Sequence, residues 1–573
     1  MTVAAREPLA DEAVPVEEIV GPSEHGTNLL EMSPNMYHVA NRPPTAPSGA
    51  PNRTTHSDLA FFQGGAANAA RQDLAAAGNY DGFRLFNVTD PENPIEVANV
   101  RCRGPQNDVS FYQARNRLLL IQSIDRPQTN DGVADQCATS KDTPVSFNNP
   151  APPFTRFVFG FEGLRIWDIT RPEAPRLIAA VPTACGSHTH TTIPDKDEQR
   201  ALIYVSSYPI GASVSPLPTA GDVGPRCTQP HAKISIVQIP DRAPEKASVL
   251  KEQLLDADTK PFRGTLGSGG TGAIGCHDIT TITEASQSPE TNPRPRRETA
   301  AAACLEEGQL WDISDVENPT TTDAGRHTHI YNPFITAGGG LFHTASWTWD
   351  GEIVLFTDEW QGGGAHGCDG EQDTRGNVWF HKAVPPGSPA PLYGRYMMPR
   401  VQAAQEVCTL HNGNVIPTNE GYFGVSSSYE GGTSVFDFTN VREFPELAPF
   451  AHVPFGQPRP AVAPPLVGRE VAYADMQNVD GAGKDDTWSS YWWNDYIWVN
   501  GGLVRGRADD GLRQRGFDVF KILLPQGKGL GDQFASTDVF SQQFRARKQP
   551  HAVNPQTQEV QQGAGFGQGD QGG

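Results

Sequence analysis

The 573-residue sequence predicts an all-β fold, a seven-bladed β-propeller of four-stranded blades. Three observations carry that reading. A strand-and-turn phrase recurs seven times, at intervals of roughly 60 to 85 residues, as expected of a repeat architecture. A second phrase, a β-prone run opened by a histidine or another polar or aromatic residue, stands ahead of each copy. Composition agrees: 37% hydrophobic residues with 58 Gly and 49 Pro is the profile of many short strands joined by turns.

The strand-and-turn phrase reads GFRLFNVTDPENP at 82–94, GLRIWDITRPEAP at 163–175, GQLWDISDVENP at 308–319 and TSVFDFTN at 433–440. Weaker copies are ISIVQIP at 234–240, NVWFH at 377–381 and GFDVFKI at 516–522. Apolar alternation marks a strand, and the Asp/Asn turn with proline behind it ends that strand. Between the two phrases lies a third apolar run, such as LLLIQ at 118–122, ALIYVS at 201–206 or EIVLF at 352–356. After the turn comes a fourth, such as IEVANV at 95–100 or LIAAV at 177–181. Four strands per unit and seven units make a seven-bladed propeller. The run YHVANRP at 37–43 is similar to IEVANV and precedes the first full unit. It is expected to complete the last blade and close the ring. Residues 1–35 read as an N-terminal tail, 36–544 as the propeller, and the Gly/Gln-rich 545–573 as a disordered tail.

Phrases such as GLRIWDIT at 163–170 and GTSVFDFT at 432–439 resemble the LVIVD-repeat family of bacterial, mostly exported, propeller proteins. The resemblance covers roughly residues 36–525. It implies the fold and an export habit, and no shared reaction.

A formal charge of −21 argues against nucleic acid or an anionic membrane as the main partner. No apolar run has the length of a transmembrane helix. The acidic start, MTVAAREPLADEAVPVEEIV, lacks the apolar centre of a signal peptide, so an export signal is expected to lie outside this numbering. The eight cysteines point to an oxidising compartment, hence a secreted or cell-surface protein. Eight cysteines allow 105 pairings, which the sequence alone does not settle; on the repeat frame the expected set is sequential, Cys102–Cys137, Cys185–Cys227, Cys276–Cys304 and Cys368–Cys408, which would tie long loops to the ring.

The inner strands, set in register, place His56, Asn107, His188, His277, His343, His411 and Trp488 at one level. Five of seven are histidines, and the chain has only 15. Side chains alternate along a strand, so one residue per blade points at the central axis. Neutral imidazoles converging there suit a divalent transition metal such as Zn, Cu, Fe, Ni or Mn. The expected metal set is His188, His277, His343, His411, His56 and His190, with Glu359 or Asp358 supplying a carboxylate from the end of a second strand. Asp108 and Asp278 are placed to orient the rings. The competing reading is a polar, watery channel in which these histidines only bridge blades. A second pair, His327 and His329, repeats the His-x-His spacing on an outer strand, in place to clamp an ion at the rim. Two functions follow: an exported metalloprotein acting on a small molecule, or a non-catalytic extracellular scaffold binding a ligand through its rim loops.

Overall fold

The computed structural model describes residues 30–44, 55–64, 72–125, 136–137, 143–148, 155–195, 197–208, 231–256, 275–282, 298–323, 325–336, 339–363, 370, 374–400, 406–416, 421–451, 453, 457–476, 486–494, 496–503, 516–522, 553–554 and 559–560. Seven antiparallel sheets are built from them. Each runs outward from an inner strand. The first blade is His56–Phe62, Leu74–Asn79, Gly82–Asn87 and Ile95–Arg101. The inner strands of the next six begin at Gln106, Thr189, Asp278, Phe342, Gly413 and Asp486. Met36–Arg42 pairs with Gly516–Ile522, so the N-terminal strand is the outer strand of the seventh blade. The ring closes as expected.

All seven copies of the strand-and-turn phrase are third strands. The aspartate or asparagine at the phrase's end caps the strand by accepting a backbone N–H two residues on. Asn87, Asp168, Asp312 and Asp437 do this at 3.0, 3.1, 2.8 and 2.8 Å. In six blades the third and fourth strands shift register near the phrase's centre, at Phe86, Trp167, Val237, His381, Phe436 and Phe520. A bulge there increases local twist, which each propeller blade needs.

The core consists of seven apolar layers, one in each gap between neighbouring blades. Leu85 and Phe111 share the gap between blades one and two, and Leu119 and Ile203 the next. Leu202 meets Ile279, Phe356 meets Leu310, and Phe380 meets Val415. Val425 meets Val499, and Phe61 stacks on Trp493 at 5.1 Å to complete the circle. A fully buried side chain of this kind contributes roughly 1.5–3 kcal/mol. The stability of the ring therefore lies between blades, and that packing fixes how the inner strands face one another.

Some features depart from the expected layout. Leu30–Met32, inside the expected N-terminal tail, adds a fifth strand to the sixth blade by pairing with Arg469–Met476. The insertion after the second strand of blade two carries a hairpin of Thr143–Asn148 and Thr155–Gly160. Near the C terminus, Val553–Asn554 pairs with Glu559–Val560. No helix among the described residues is long and apolar enough to cross a membrane.

Disulfides join Cys102 to Cys137 and Cys276 to Cys304. Cys185 and Cys408 are also disulfide-bonded; the expected partners Cys227 and Cys368 lie outside the described residues. The Cys276–Cys304 bridge closes a separation of 28 residues directly before His277. Replacing both cysteines with serine is expected to lower stability by about 3–4 kcal/mol through restored chain entropy. Chemical denaturation of the metal-free protein reads this directly.

Candidate metal centre at the channel mouth

Backbone register decides which side chains share a level. In the second blade Gln106 pairs with Ile124 and Val109 with Gln122, leaving three steps opposite two. The first and fifth blades repeat this irregularity, at His56 to Leu59 and Phe342 to Ala345. His56 therefore stands level with Gln106 and Phe342, one residue before the ring position. That is a correction to the expected set: Ser57 occupies the level of Asn107 and His343. His56 instead turns to the seventh blade, its Nδ1 2.9 Å from Asn500 Oδ1.

His188, His277, His343 and His411 form a continuous arc across four successive blades. Neighbouring ring centroids are 4.2, 3.8 and 4.0 Å apart, and Trp488 continues the arc 4.8 Å beyond His411. All four rings are buried. Three are held through Nδ1: His188 by Asp125 Oδ2 at 3.3 Å, His343 by Thr344 Oγ1 at 2.7 Å and His411 by the Trp488 carbonyl at 2.7 Å. Fixing Nδ1 leaves Nε2 as the outward donor, which is how metal-binding imidazoles are oriented.

Donor atoms approach one another in neighbouring pairs. His188 and His277 bring theirs to 2.8 Å of one another. Adjacent donors of a four-coordinate planar or octahedral ion stand about 3 Å apart when its bonds are about 2.0–2.1 Å. His277, His343 and Glu359 offer three buried ligand atoms within 4.8 Å of one another. The Glu359 carboxylate lies 3.7 Å from His343 Nε2 and 3.9 Å from His411 Nε2, and it accepts a hydrogen bond from the Tyr429 hydroxyl. Tyr208 places its hydroxyl 3.2 Å from His188 Nε2 on the other side of the arc.

Burial, reinforced by neighbouring imidazoles, holds the pKa of both His277 and His343 well below the usual histidine range. Both rings are therefore neutral near pH 7 and present lone pairs. One side of the cluster stands out. His343 Nε2 is buried without a hydrogen-bond partner, facing the space bounded by His277, His411 and Glu359. An unsatisfied buried polar atom costs about 1–3 kcal/mol, so this one calls for an occupant of that space.

Two other expected residues are placed elsewhere. His190 has both nitrogens engaged, with Ser110 Oγ 2.7 Å from Nε2 and Ser123 Oγ 2.8 Å from Nδ1. It braces the second and third blades. Asp358 spends one carboxylate oxygen on the Leu341 N–H at 3.1 Å and the other on the Gly376 N–H at 3.0 Å. Glu359, one residue later, is the carboxylate that reaches the histidines. Asp108 accepts the His190 backbone N–H at 2.8 Å and Asp278 that of Ile279 at 2.8 Å, so neither orients an arc imidazole by these bonds. They belong to a polar layer one residue further along the inner strands, which also contains Asp58, Thr189, Asn412 and Ser489. Burial there raises the Asp108 pKa to about 7, and burial with the adjacent Asp108 raises Asp58 further from its ordinary value.

Sequence reasoning missed Asp125, Tyr208 and Tyr429. All three follow the end of a second strand, as Glu359 does. That shared position was the signal available. Asp125→Asn is expected to weaken metal binding at the arc about tenfold by releasing the His188 ring, measured by competition with a coloured chelator.

No family model matches the chain. No curated protein matches it either. Among solved structures, the β-propeller domain of Cps50 (Swd1) from Myceliophteria thermophila aligns with 9% identity and a TM-score of 0.36. The alignment covers 82% of this chain and 100% of that one. A likeness this remote carries nothing about chemistry.

Proposed function

We propose that the channel mouth holds one divalent transition-metal ion on His188, His277, His343 and His411, with Glu359 as a nearby carboxylate. The observation that carries the reading is the partnerless, buried Nε2 of His343 beside His277 and Glu359, which each offer a ligand atom within 4.8 Å. Four imidazoles and one carboxylate suit Zn, Cu, Fe, Ni or Mn rather than Mg or Ca. Such an ion supplies Lewis-acid or redox chemistry to a small molecule reaching the mouth. Tyr208, Tyr429 and Trp488 flank the arc, so an incoming ligand meets aromatic faces and two hydroxyls. Tyr429 also holds Glu359 in place, and Asp125 holds His188. The disulfides and the LVIVD-like repeat support an exported protein working in an oxidising compartment.

Elemental analysis of protein purified without chelators tests this. A near-stoichiometric metal that the pair His277→Ala and His411→Ala removes supports the proposal. Equal metal content in parent and double variant, or a channel that takes up none of these ions on reconstitution, overturns it.

A further inference from the structure

The outer strand of the fourth blade, His327–Ile330, carries the second His-x-His pair. On an extended strand residues i and i+2 face the same way, and the two rings lie 4.3 Å apart between centroids. Asp256 reaches them from the exit of the third blade, where its N–H donates to the Thr321 carbonyl at 2.9 Å. Its Oδ2 stands 3.5 Å from His329 Nε2 and 3.8 Å from His327 Nδ1. One donor atom from each of the three residues falls within 4.8 Å of the others. Donors of a tetrahedral ion with bonds of about 2.0–2.1 Å stand about 3.3 Å apart, so an ion needs only small shifts to fit.

Two independent observations point to a ligand. His327 is only 4% exposed, yet neither ring nitrogen has a hydrogen-bond partner. A blade built only to pack would gain by an apolar residue there, since the buried imidazole loses its water and receives nothing back. His329 is the complement. Its Nδ1 lies 2.7 Å from Glu307 Oε2, which leaves Nε2 turned toward Asp256. Glu307 is itself fixed by Gln309 Nε2, donating at 2.5 Å, and Gln309 by the Trp311 indole at 2.8 Å. A buried carboxylate that sets the tautomer of a histidine is the outer shell of a metal ligand. The surface-pair reading accounts for Glu307 and Asp256 as partners of His329 and leaves both nitrogens of His327 without one.

We infer that Asp256, His327 and His329 form a second divalent-metal site, separate from the channel mouth, for a zinc-like ion. Two histidines and a carboxylate are the donor set for such an ion, with water completing the shell on the side where Asp256 is 43% exposed. The ion ties the exit of the third blade to the outer edge of the fourth. It acts as a clamp between neighbouring blades and is independent of whatever the channel holds.

Co²⁺ is the probe, because a four-coordinate Co²⁺ ion absorbs visible light strongly. It is titrated into metal-free full-length protein carrying His277→Ala and His411→Ala, which confines binding to the rim. One saturable equivalent with a four-coordinate spectrum is expected. Adding Asp256→Asn or His327→Gln should weaken it at least 100-fold, and Glu307→Gln 10- to 100-fold. Circular dichroism of each metal-free variant confirms that it is folded. If the channel pair fails to fold, the parent is titrated instead. The half-exposed Asp256 then serves as the single replacement, and Asp256→Asn should remove one equivalent however many the channel holds. No saturable equivalent, or Co²⁺ binding unchanged by Asp256→Asn and His327→Gln, overturns the inference. A parent protein that binds the rim equivalent and takes up no metal at the channel contradicts only the channel proposal.

Discussion

Replacing His343 with leucine should strip the channel mouth of its metal, weakening binding at least 100-fold, while leaving the metal-free protein as stable as before or more so. The sign of the second effect makes the experiment informative. In the metal-free state His343 Nε2 is a buried atom with no partner, and removing it relieves about 1–3 kcal/mol of unmet solvation. With metal present the order reverses. A ligand that binds only the folded state stabilises it by about 4 kcal/mol at a thousand times its dissociation constant, and the variant forfeits that gain. Thermal melts of parent and variant, each with and without chelator, therefore give four values. The parent should fall on chelation. The variant should not respond when both proteins also carry Asp256→Asn, which removes the rim ion. A purely structural histidine ring gives the opposite pattern, with no response to chelator in the parent and a destabilised variant.

Acid should unfold the metal-free protein well before the carboxylates of an ordinary domain are titrated. His231 and His381 are buried, and burial lowers each pKa to about 4. In the unfolded chain they return to about 6.5. A depressed pKa means that the unfolded state binds the proton more readily, so stability is complete above about 6.5 and lost as pH falls toward 4. At pH 4 each of these histidines costs about 3 kcal/mol. His277 and His343 act in the same sense. Asp108, raised to about 7, and Asp58, raised well above its ordinary value, act in the other; His190, lowered to about 3, and His327, lowered to about 4, are set against them. The melting temperature should drop steeply between pH 6.5 and 4, and bound metal should move that drop to lower pH because its ligands must stay neutral. A melting temperature flat over that interval would contradict the assignment of these rings as buried and neutral.

How much could be read in advance depended on what repeats. The Asp/Asn-capped third strand recurs because each blade needs the same strand end and the same bulge. Its seven copies gave the ring, and the likeness of YHVANRP to the fourth-strand run IEVANV gave the closing strand at Met36–Arg42. Four arc histidines were legible because each opens an inner strand at an equivalent level. His56 slipped by one place because the bulge before Leu59 inserts a residue that hydrophobic alternation does not register. Asp358 and Glu359 were left open because alternation fails at a strand end, where the chain turns. The structure gives the last strand residue to backbone amides and the next one to the site. Asp125, Tyr208 and Tyr429 were hidden for a related reason: they stand just past the end of a second strand, where regular spacing stops, and no residue type repeats at that position. The rim donor Asp256 comes from a different blade than its two histidines, a proximity created by packing and absent from any linear pattern.

The most direct test is diffraction from crystals of the metal-loaded protein at the absorption edge of the bound element. The account predicts an anomalous peak at the channel mouth, about 2.0–2.2 Å from Nε2 atoms of His188, His277, His343 and His411. A metal-loaded crystal with no peak there, or with those four rings hydrogen-bonded only to protein and water, would contradict it.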